Sequence, residues 1–289
     1  MIEEPGFGVV VLTMGRRPED LDRAVRSVLD QQGVTLDVVV VGNGWEPTGL
    51  PDGVATLGLP RNVGIPAGRN AGVPLVRPDL LLFLDDDAWL PDPTFLRTLA
   101  DRFAADPRLG LVQPRPVDPT GLPGPARWVP RLRVGDPAKP SPATSLWEGA
   151  TAMRRCVFDA VDGWPDEFFY AHEGIDLVWR VWDAGYTPWY AGDLVVHHPV
   201  INPTRHAEFY RLNARNRVWL ARRNLPVVLE PLYVGTWVGM TLLRVHDRKA
   251  LGAWFAGLRE GITERPIGRR RMRWRTVWAM TKAGRPPVI

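Results

Sequence analysis

The chain has 289 residues, of which 45% are hydrophobic and 24% are charged, and it contains a single cysteine. This apolar content excludes a chain that is disordered throughout, and the length allows one large globular domain with or without an appendage. Because Cys156 stands alone, an internal disulfide framework and a zinc module built from several cysteines are excluded. Glu3 and Glu4 precede the first apolar run, which is not the pattern of a secretory signal. We therefore expect a cytoplasmic protein.

The net charge of +4 combines two regions of opposite sign. Residues 1–204 contain 18 Lys and Arg against 27 Asp and Glu, a balance of −9, whereas residues 205–289 contain 18 against 5, a balance of +13. A basic segment of this density is typical of a surface that meets phosphates, and a solvated helical surface is the alternative. No nucleic-acid-binding motif is present in the sequence, so we expect no nucleic-acid partner.

Apolar runs alternate with amphipathic stretches along the first 113 residues. The pattern predicts strands at 8–13, 36–41, 54–57, 80–84 and 109–113, and helices from 18 to before Gly33, near 66–73 and at 93–105. This alternation is typical of βαβ units and predicts an α/β fold, a Rossmann-like, mostly parallel sheet with helices on both faces. Ligands of such sheets bind beyond the carboxyl ends of the strands.

Prolines are dense between residues 114 and 142, which we interpret as a long loop beside the site. The motifs resume beyond this loop, so we do not interpret it as a linker between domains. The later pattern predicts helices near 153–161, 174–184 and 206–223, and a strand at 193–197.

The apolar segment 226–245 is interrupted by Glu230, Pro231 and two glycines. Its uninterrupted apolar part is shorter than the ~20 residues that a membrane-spanning helix needs. Tryptophans lie among the arginines of the tail, which is typical of a helix that rests on a membrane surface. They are Trp237, Trp254, Trp274 and Trp278.

Three adjacent carboxylates, Asp85, Asp86 and Asp87, directly follow the apolar run LLLFL. At the end of a buried strand they repel one another unless a cation or solvent compensates their charge. Hard oxygen ligands of this kind suit Mg²⁺ or Mn²⁺, which keep coordination positions open for the phosphates of a substrate. A solvated turn that caps the next helix is the alternative interpretation.

Six motifs occur in an order that resembles the family-2 glycosyltransferases of the GT-A fold, in particular bacterial rhamnosyl- and galactofuranosyltransferases. They are VVVLT, VVVVGNG, RNVGIPAGRNAG at 61–72, FLDDD, the stretch from WEGATAM to WDAGY at 147–186, and VVHH at 195–198. The resemblance covers roughly residues 8–220. It implies a GT-A catalytic domain at 1–204, with a nucleotide-sugar half at about 1–113 and an acceptor half at about 143–204, and a basic helical extension at 205–289.

The resemblance also implies which residues meet the donor and its metal ion. Mn²⁺ or Mg²⁺ would be held by Asp87, Asp85 and a late histidine, with His197 preferred over His198. Gly42 stands where the family has an aspartate that contacts the nucleotide, so UDP-, dTDP- and GDP-linked donors all stay open. The residues expected around the nucleotide sugar are Thr13, Asn43, Arg61, Asn62, Gly64, Arg69, Asn70, Asp85 and Asp86.

Sugar transfer requires charge neutralisation on the departing nucleoside diphosphate and a base for the acceptor hydroxyl. The resemblance implies an acidic pair at the start of the acceptor-side helix, but the usual base position is Gly174 here. Glu173 and then Asp176, which share one helical face, are the candidate catalytic residues, with Glu167 as a further possibility. Capping of the helix N-terminus is the structural alternative for both.

The pocket shared by donor and acceptor is expected to include Trp147, Glu148 and Gly149, which match the family's segment beneath the donor sugar. Trp164 is a candidate for stacking on a sugar face, whereas Phe168 is expected in the core. Arg215 lies in an arginine-rich segment that would meet the phosphates of the donor or acceptor.

The leading hypothesis is an inverting, metal-dependent glycosyltransferase that moves a sugar from a nucleoside-diphosphate sugar to an acceptor hydroxyl. Bacterial glycan, cell-wall or glycolipid synthesis is the expected setting, with a glycan, lipid-linked or small-molecule acceptor and peripheral contact with the inner face of the cell membrane. Three different functions stay open: glycosylation of a soluble small molecule, binding of a nucleotide sugar without catalysis, and sugar nucleotidyl transfer.

Overall fold

The computed structural model describes residues 4–200, 206–264 and 268–289. Glu3 and the predicted domain boundary between residues 204 and 205 lie outside these residues. The strands form one eight-stranded sheet in the order β3-β2-β1-β4-β7-β5-β8-β6. Their bounds are β1 (Gly6–Thr13), β2 (Thr35–Asn43), β3 (Val54–Leu59), β4 (Leu80–Asp85), β5 (Leu109–Val117), β6 (Ser141–Pro142), β7 (Ala150–Arg154) and β8 (Thr187–His197).

Helices follow most of the strands, and their ends agree with local sequence signals. The first helix begins with a proline in its first turn, followed by two acidic residues that complement the helix dipole. The helices are α1 (Pro18–Leu29), α2 (Ile65–Gly72), α3 (Phe95–Ala105), α4 (Arg155–Ala160), α5 (Glu173–Ala184), α6 (Ala207–Asn224), α7 (Glu230–Arg244), α8 (Arg248–Thr263) and α9 (Trp274–Lys282).

Four neighbouring strands, β3, β2, β1 and β4, run parallel, so their carboxyl ends meet at one edge of the sheet. In this register Thr13 lies opposite Gly42, and Leu12 lies opposite Asp85. The antiparallel strand β7 separates β4 from β5, while β5 and β8 are again parallel to one another. The expected mostly parallel α/β sheet is therefore confirmed, with β7 and the edge strand β6 as its antiparallel members.

The central strands are buried on both faces, as their uninterrupted apolar sequences require. Val9 and Val11 belong to a core cluster that includes the apolar residues of α1 and α3. Val10 and Leu12 point to the opposite cluster, which includes apolar residues of α4, α5, α6, α7 and α9. Because successive side chains of a strand face opposite sides, one run of valines supplies both layers.

Three boundaries differ from the sequence-based prediction, and one of them is the start of β8, which lies at residue 187 and not at 193. Met153 and Arg154, expected at the start of a helix, end strand β7, whose main chain pairs with β4 and β5. Strand β5 continues to Val117 into the proline-rich stretch, because residues 115–117 find partners on β8 beyond a register shift. The rest of the segment up to residue 142 is a loop with one short 3₁₀ turn and strand β6.

The basic C-terminal helices pack against the sheet domain. Close approach of α8 to α6 depends on Gly257, because a Cβ atom there would fall on the main-chain oxygen of Arg211. Helix α9 is tied to the end of α5, where the Thr276 hydroxyl donates to the Asp183 carboxylate at 2.6 Å. Among the described residues, no helix is long and apolar enough to cross a membrane.

Candidate active site

The three aspartates that end β4 have different partners. Asp85 accepts a hydrogen bond from the buried guanidinium of Arg69 at 2.7 Å. Asp86 accepts one from the Thr13 hydroxyl at 2.6 Å and forms an ion pair with Arg17, which also pairs with Asp87. Strand topology explains the set, because Thr13 and Arg17 follow β1, the neighbour of β4.

Burial and the neighbouring charges set the protonation of this cluster. Burial raises the pKa of Asp86 to about 6, although Thr13 and Arg17 act in the opposite direction. Burial also acts to raise the pKa of Asp87, but the hydrogen bond and the charge of His198 outweigh it and hold that pKa below its ordinary value. Asp87 is therefore ionised at neutral pH, which a metal ligand requires.

Asp85, Asp87 and His198 bring one ligand atom each within 4.8 Å of one another. The Nε2 atom of His198 lies 3.2 Å from Oδ1 of Asp87. Two carboxylates and one imidazole fit a divalent ion such as Mn²⁺ or Mg²⁺, with the imidazole favouring Mn²⁺. Asp86 is turned toward Thr13 and Arg17 and does not belong to this triad.

His198, and not the preferred His197, is the histidine at this cluster. Neighbouring residues of an extended segment face opposite sides, so only one of the two can reach Asp87. The ring of His197 packs against Trp89 with the centroids 5.4 Å apart. The His198 ring packs against two other tryptophans. Its centroid lies 5.1 Å from that of Trp147 and 5.5 Å from that of Trp128.

A cleft of about 480 Å³ opens beside the aspartates. Four residues predicted to contact the nucleotide sugar, Thr13, Asn43, Asn62 and Gly64, line this cleft together with side chains that include Tyr170. Asn43 shapes the wall, because its side-chain oxygen accepts from the Val63 amide at 2.8 Å and its amide group donates to the Gly64 carbonyl at 3.1 Å.

Gly64 is required by its backbone conformation and its neighbours. Its φ angle is +90°, and a Cβ atom would lie 2.6 Å from the main chain of Phe169. Arg61 is exposed at the start of the same turn. The turn at 61–64 therefore packs against the turn at 169–170, and together they form one side of the cleft.

Arg69 and Asn70 differ in what they contact. Arg69 is 1% exposed, stacks over the Trp164 ring at 4.7 Å, and its Nε and Nη1 atoms have no hydrogen-bond partner among the described residues. Asn70 is turned away and exchanges hydrogen bonds with the main chain of Trp164 at 2.8 and 3.0 Å. Trp164 is 1% exposed, so its ring cannot stack on a sugar, and Phe168 lies in the core as expected.

Arg215 serves the packing of helices and does not face the cleft. Its guanidinium bonds to Glu260 of α8 at 3.2 Å and to the Phe168 carbonyl at 3.1 Å. Its neighbour Asn216 donates to the carbonyls of Phe168, Tyr170 and Ala171. Helix α6 thereby fixes the turn that leads into Glu173, a role that the arginine-rich sequence did not indicate.

The two candidate bases on α5 lie in different surroundings. Asp176 is fully buried and bonds to Arg180 at 2.6 Å and to Asn224 at 2.7 Å. Its charge is thus compensated within the protein, and it has no access to an acceptor. Glu173 is also buried, its Oε2 atom has no partner among the described residues, and burial raises its pKa.

Glu148 lies directly beside these residues. Its Oε1 atom accepts a hydrogen bond from the Gly174 amide at 3.0 Å, and its carbonyl accepts from Arg69 at 3.0 Å. Burial and the charge of Glu173 raise the pKa of Glu148 to about 8. The next residue, Gly149, accepts a hydrogen bond from the Asp85 amide at 2.9 Å, which joins this segment to the aspartate cluster.

The sequence analysis did not predict Arg17 or Trp128 as residues of this site, and it preferred His197 to His198. Arg17 had a detectable signal, since it follows the strand beside β4 and the aspartates need a cation there. Trp128 had none, because it lies in the irregular proline-rich stretch and reaches the site only through the fold.

These features define a class, that of α/β proteins with a ligand cleft at the carboxyl ends of a twisted sheet. Residues 9–161 match the model of Glycosyl transferase family 2, and this match covers more than half of the chain. The chain therefore belongs to glycosyltransferase family 2. No protein with a curated description matches its sequence.

Solved structures share the fold at low sequence identity. The S. aureus TarS 1–349 structure superposes with a TM-score of 0.61 at 14% identity, covering 89% of this chain and 80% of that fragment. GalNAc-T7 with UDP, GalNAc and Mn²⁺ gives 0.66 at 13% identity, covering 100% and 59%. The mannosyltransferase PcManGT from Pyrobaculum calidifontis, with GDP-Man and Mn²⁺, gives 0.55 at 16% identity, covering 99% and 78%. The expected GT-A glycosyltransferase fold is thus confirmed.

Proposed function

We propose that the protein is an inverting, metal-dependent glycosyltransferase that uses a nucleoside-diphosphate sugar and an acceptor hydroxyl. The observation that carries this proposal is the triad Asp85, Asp87 and His198 at the edge of the cleft. Family membership gives the reaction class, and the donor set of the triad suits Mn²⁺ or Mg²⁺.

A divalent cation held by Asp85, Asp87 and His198 would neutralise charge on the donor diphosphate. Arg17 borders the cleft and is partly exposed, so its guanidinium can bind a phosphate oxygen. Arg69 holds Asp85 in place, and its buried guanidinium adds positive charge beside the aspartate cluster. The residues of the cleft wall, Asn43 and Gly64, would shape the nucleotide pocket through the turn that they hold.

We further propose that helix α7 and its surroundings rest on an anionic membrane surface, which would present a lipid-linked or cell-wall acceptor. Large apolar side chains are exposed at Val228 and Leu232 near the start of α7 and at Leu242 and Leu243 near its end. Exposed Arg244, Arg248 and Lys249 follow. Apolar side chains rimmed by basic ones suit the interface of a bilayer that carries negative charge.

Vesicle co-sedimentation tests the membrane proposal. We expect binding to vesicles of anionic phospholipid, weaker binding to zwitterionic vesicles, and a loss of binding in the variant with Leu243→Ser, whose residue is 74% exposed. Leu122→Ser is the matched control, because Leu122 is 55% exposed on the proline-rich loop. Equal partition of all proteins into the supernatant would argue for an acceptor that is a soluble small molecule.

The nucleotide product distinguishes glycosyl transfer from nucleotidyl transfer and from binding without catalysis. A nucleotidyltransferase would release pyrophosphate from a nucleoside triphosphate and a sugar phosphate, whereas the proposed reaction releases a nucleoside diphosphate. An inactive nucleotide-sugar-binding protein would bind the donor without releasing either product. Analysis of the nucleotide products by chromatography separates the three.

Thermal stabilisation of the purified protein by nucleotides tests the central proposal. UDP, dTDP, GDP and CDP are each added with Mn²⁺, Mg²⁺ or EDTA, and a ligand that binds the native state raises the melting temperature. We expect a metal-dependent increase with one nucleotide, which also names the donor class. No increase with any of the four would contradict the proposal.

A further inference from the structure

The carboxylate that lies against Gly174 occupies space that a side chain at that position would need. A Cβ atom built on Gly174 would come 2.4 Å from Oε1 of Glu148 and 2.7 Å from its Cγ atom. The Gly174 amide also donates to the same Oε1 atom at 3.0 Å. The position of the Glu148 side chain therefore requires a glycine at residue 174, because a Cβ atom there would occupy the same space.

We propose that Glu148 is the general base that takes the proton of the acceptor hydroxyl. This inference rests on the proposed function and names the residue that carries out one of its steps. It replaces the expectation that the base stands on α5, at Glu173 or Asp176.

Accessibility separates Glu148 from the carboxylates of α5. Asp176 is fully buried, is neutralised by Arg180 and accepts a hydrogen bond from Asn224, so it can neither meet an acceptor nor readily take up a proton. Glu173 is only 3% exposed. Glu148 is partly exposed, and no hydrogen bond among the described residues engages its Oε2 atom.

Position relative to the donor supports the same assignment. Arg69 bridges the two groups, because its Nη2 atom donates to Asp85 at 2.7 Å and to the Glu148 carbonyl at 3.0 Å. The Asp85 amide donates to Gly149, the residue after Glu148. These main-chain contacts place the Glu148 segment next to the aspartate cluster, where the diphosphate of the donor would lie.

The surroundings of Glu148 also favour proton uptake. Burial and the nearby charge of Glu173 increase its proton affinity, and Arg69 is the cation that opposes them. Burial raises the pKa of Tyr170, on the facing turn, and the negative charges of both glutamates act in the same direction. The carboxylate form, which acts as the base, predominates above about pH 8, and there its increased proton affinity makes it a stronger base than an ordinary glutamate.

Proton transfer to Glu148 accompanies the exchange of bonds at the anomeric carbon. The acceptor oxygen forms a bond to this carbon while its proton passes to a carboxylate oxygen of Glu148. The bond between the anomeric carbon and the oxygen of the β-phosphate breaks, and its electron pair leaves with the nucleoside diphosphate. The proton on Glu148 then returns to solvent, and the configuration at the anomeric carbon is inverted.

Release of nucleoside diphosphate with water as the acceptor tests this assignment. The donor is the nucleotide sugar whose diphosphate gives the largest thermal shift with Mn²⁺. We expect Glu148→Gln to lower kcat about 10²–10⁴-fold, the typical contribution of a general base, with little change in KM for the donor. Glu19→Gln, which changes an exposed glutamate of α1, is the matched control and is expected to retain the full rate.

Azide provides a readout that a structural role would not affect. The azide anion attacks the anomeric carbon without needing a base, so sodium azide is expected to restore nucleoside-diphosphate release in Glu148→Ala and to give the glycosyl azide. Gly174→Ala tests the packing, since the added Cβ atom displaces the Glu148 side chain. We expect at least a ~10-fold loss of kcat there without a lower melting temperature, because alanine favours the helix.

Two results would overturn the assignment. One is a kcat for Glu148→Gln within about threefold of wild type, and the other is an inactive Glu148→Ala that azide does not restore. Failure of the proposed function would look different, because the wild-type protein itself would then release no nucleoside diphosphate. If only the assignment of Glu148 fails, the wild-type protein still releases nucleoside diphosphate, and only the Glu148 variants give results that differ from those expected.

Discussion

Two groups of carboxylates lie at the same edge of the sheet and are compensated in different ways. Asp85, Asp86 and Asp87 face Arg17, Arg69 and His198, so their negative charge is kept and balanced by cations. Burial raises the pKa of Glu148 and Glu173, and the charge of Glu173 adds to this effect at Glu148, so both glutamates gain affinity for protons although Arg69 opposes the change. Adjacent acids of one protein thus divide into a group suited to hold a cation and a group suited to accept a proton.

Burial acts to raise the pKa of acids in both groups, and nearby cations outweigh it at Asp87 but not at Glu173. Asp87 and Glu173 are both buried, yet the pKa of Asp87 is lowered by His198 and Arg17 while the pKa of Glu173 is raised. Asp176 is a third case, since its pairing with Arg180 and Asn224 leaves it only a structural role.

The largest effect on stability is expected from Asp176→Ala, which tests whether Asp176 has only a structural role. Loss of the carboxylate leaves the buried Arg180 without its partner, which costs about 3–5 kcal/mol of unfolding free energy. Urea denaturation measures the loss. A variant of normal stability that no longer transfers sugar would place Asp176 in the chemistry instead.

Asp87→Asn tests the group that holds a cation. Removal of its charge should lower the rate of nucleoside-diphosphate release by about 10²–10³-fold and abolish the metal dependence of the nucleotide-induced thermal shift. Asp101→Asn is the control, because Asp101 is exposed on α3 and pairs only with Arg97 at 3.0 Å among the described residues. Retention of the metal-dependent shift in Asp87→Asn would contradict the proposed ligand set.

His198→Ala and His197→Ala form a matched pair of neighbouring substitutions. We expect the first to weaken Mn²⁺ binding about 10–100-fold and the second to leave it unchanged, because only His198 reaches Asp87. A titration of Mn²⁺ against the melting temperature at fixed nucleotide measures both. Equal losses in the two variants would remove His198 from the proposed metal site.

The smallest effect concerns the group that accepts a proton. A carboxyl with a raised folded-state pKa binds its proton more tightly in the native state, so the wild type loses stability as the pH rises from the ordinary glutamate value toward about 8. Glu148→Gln does not titrate and still faces Glu173, Arg69 and Tyr170. We expect its melting temperature to exceed that of the wild type by about 2–4 °C above pH 8, for a difference of about 1 kcal/mol.

Melting of the two proteins is compared at two pH values. Near pH ~5 they should melt at almost the same temperature, since Glu148 is then protonated in the wild type. Glu19→Gln serves as the control, because Glu19 is exposed on α1. A difference that is independent of pH would show that the pKa of Glu148 is not raised in the folded protein.

The sequence by itself determined the donor side of the molecule. The valine runs of β1 and β2, the helix that begins at Pro18 and the aspartates after LLLFL are all local patterns, and parallel strands bring their carboxyl ends together. These features could be predicted because each depends on a few neighbouring residues.

Only the tertiary structure decided the acceptor side. Strand β7 is inserted antiparallel between β4 and β5, and Glu148 reaches Gly174 across 26 residues of sequence. The choice of His198 over His197 depends on the direction in which β8 ends, and Arg215 on the packing of α6 against α8. The physical reason is that side-chain contacts between distant segments follow from how whole elements pack, which local periodicity does not encode.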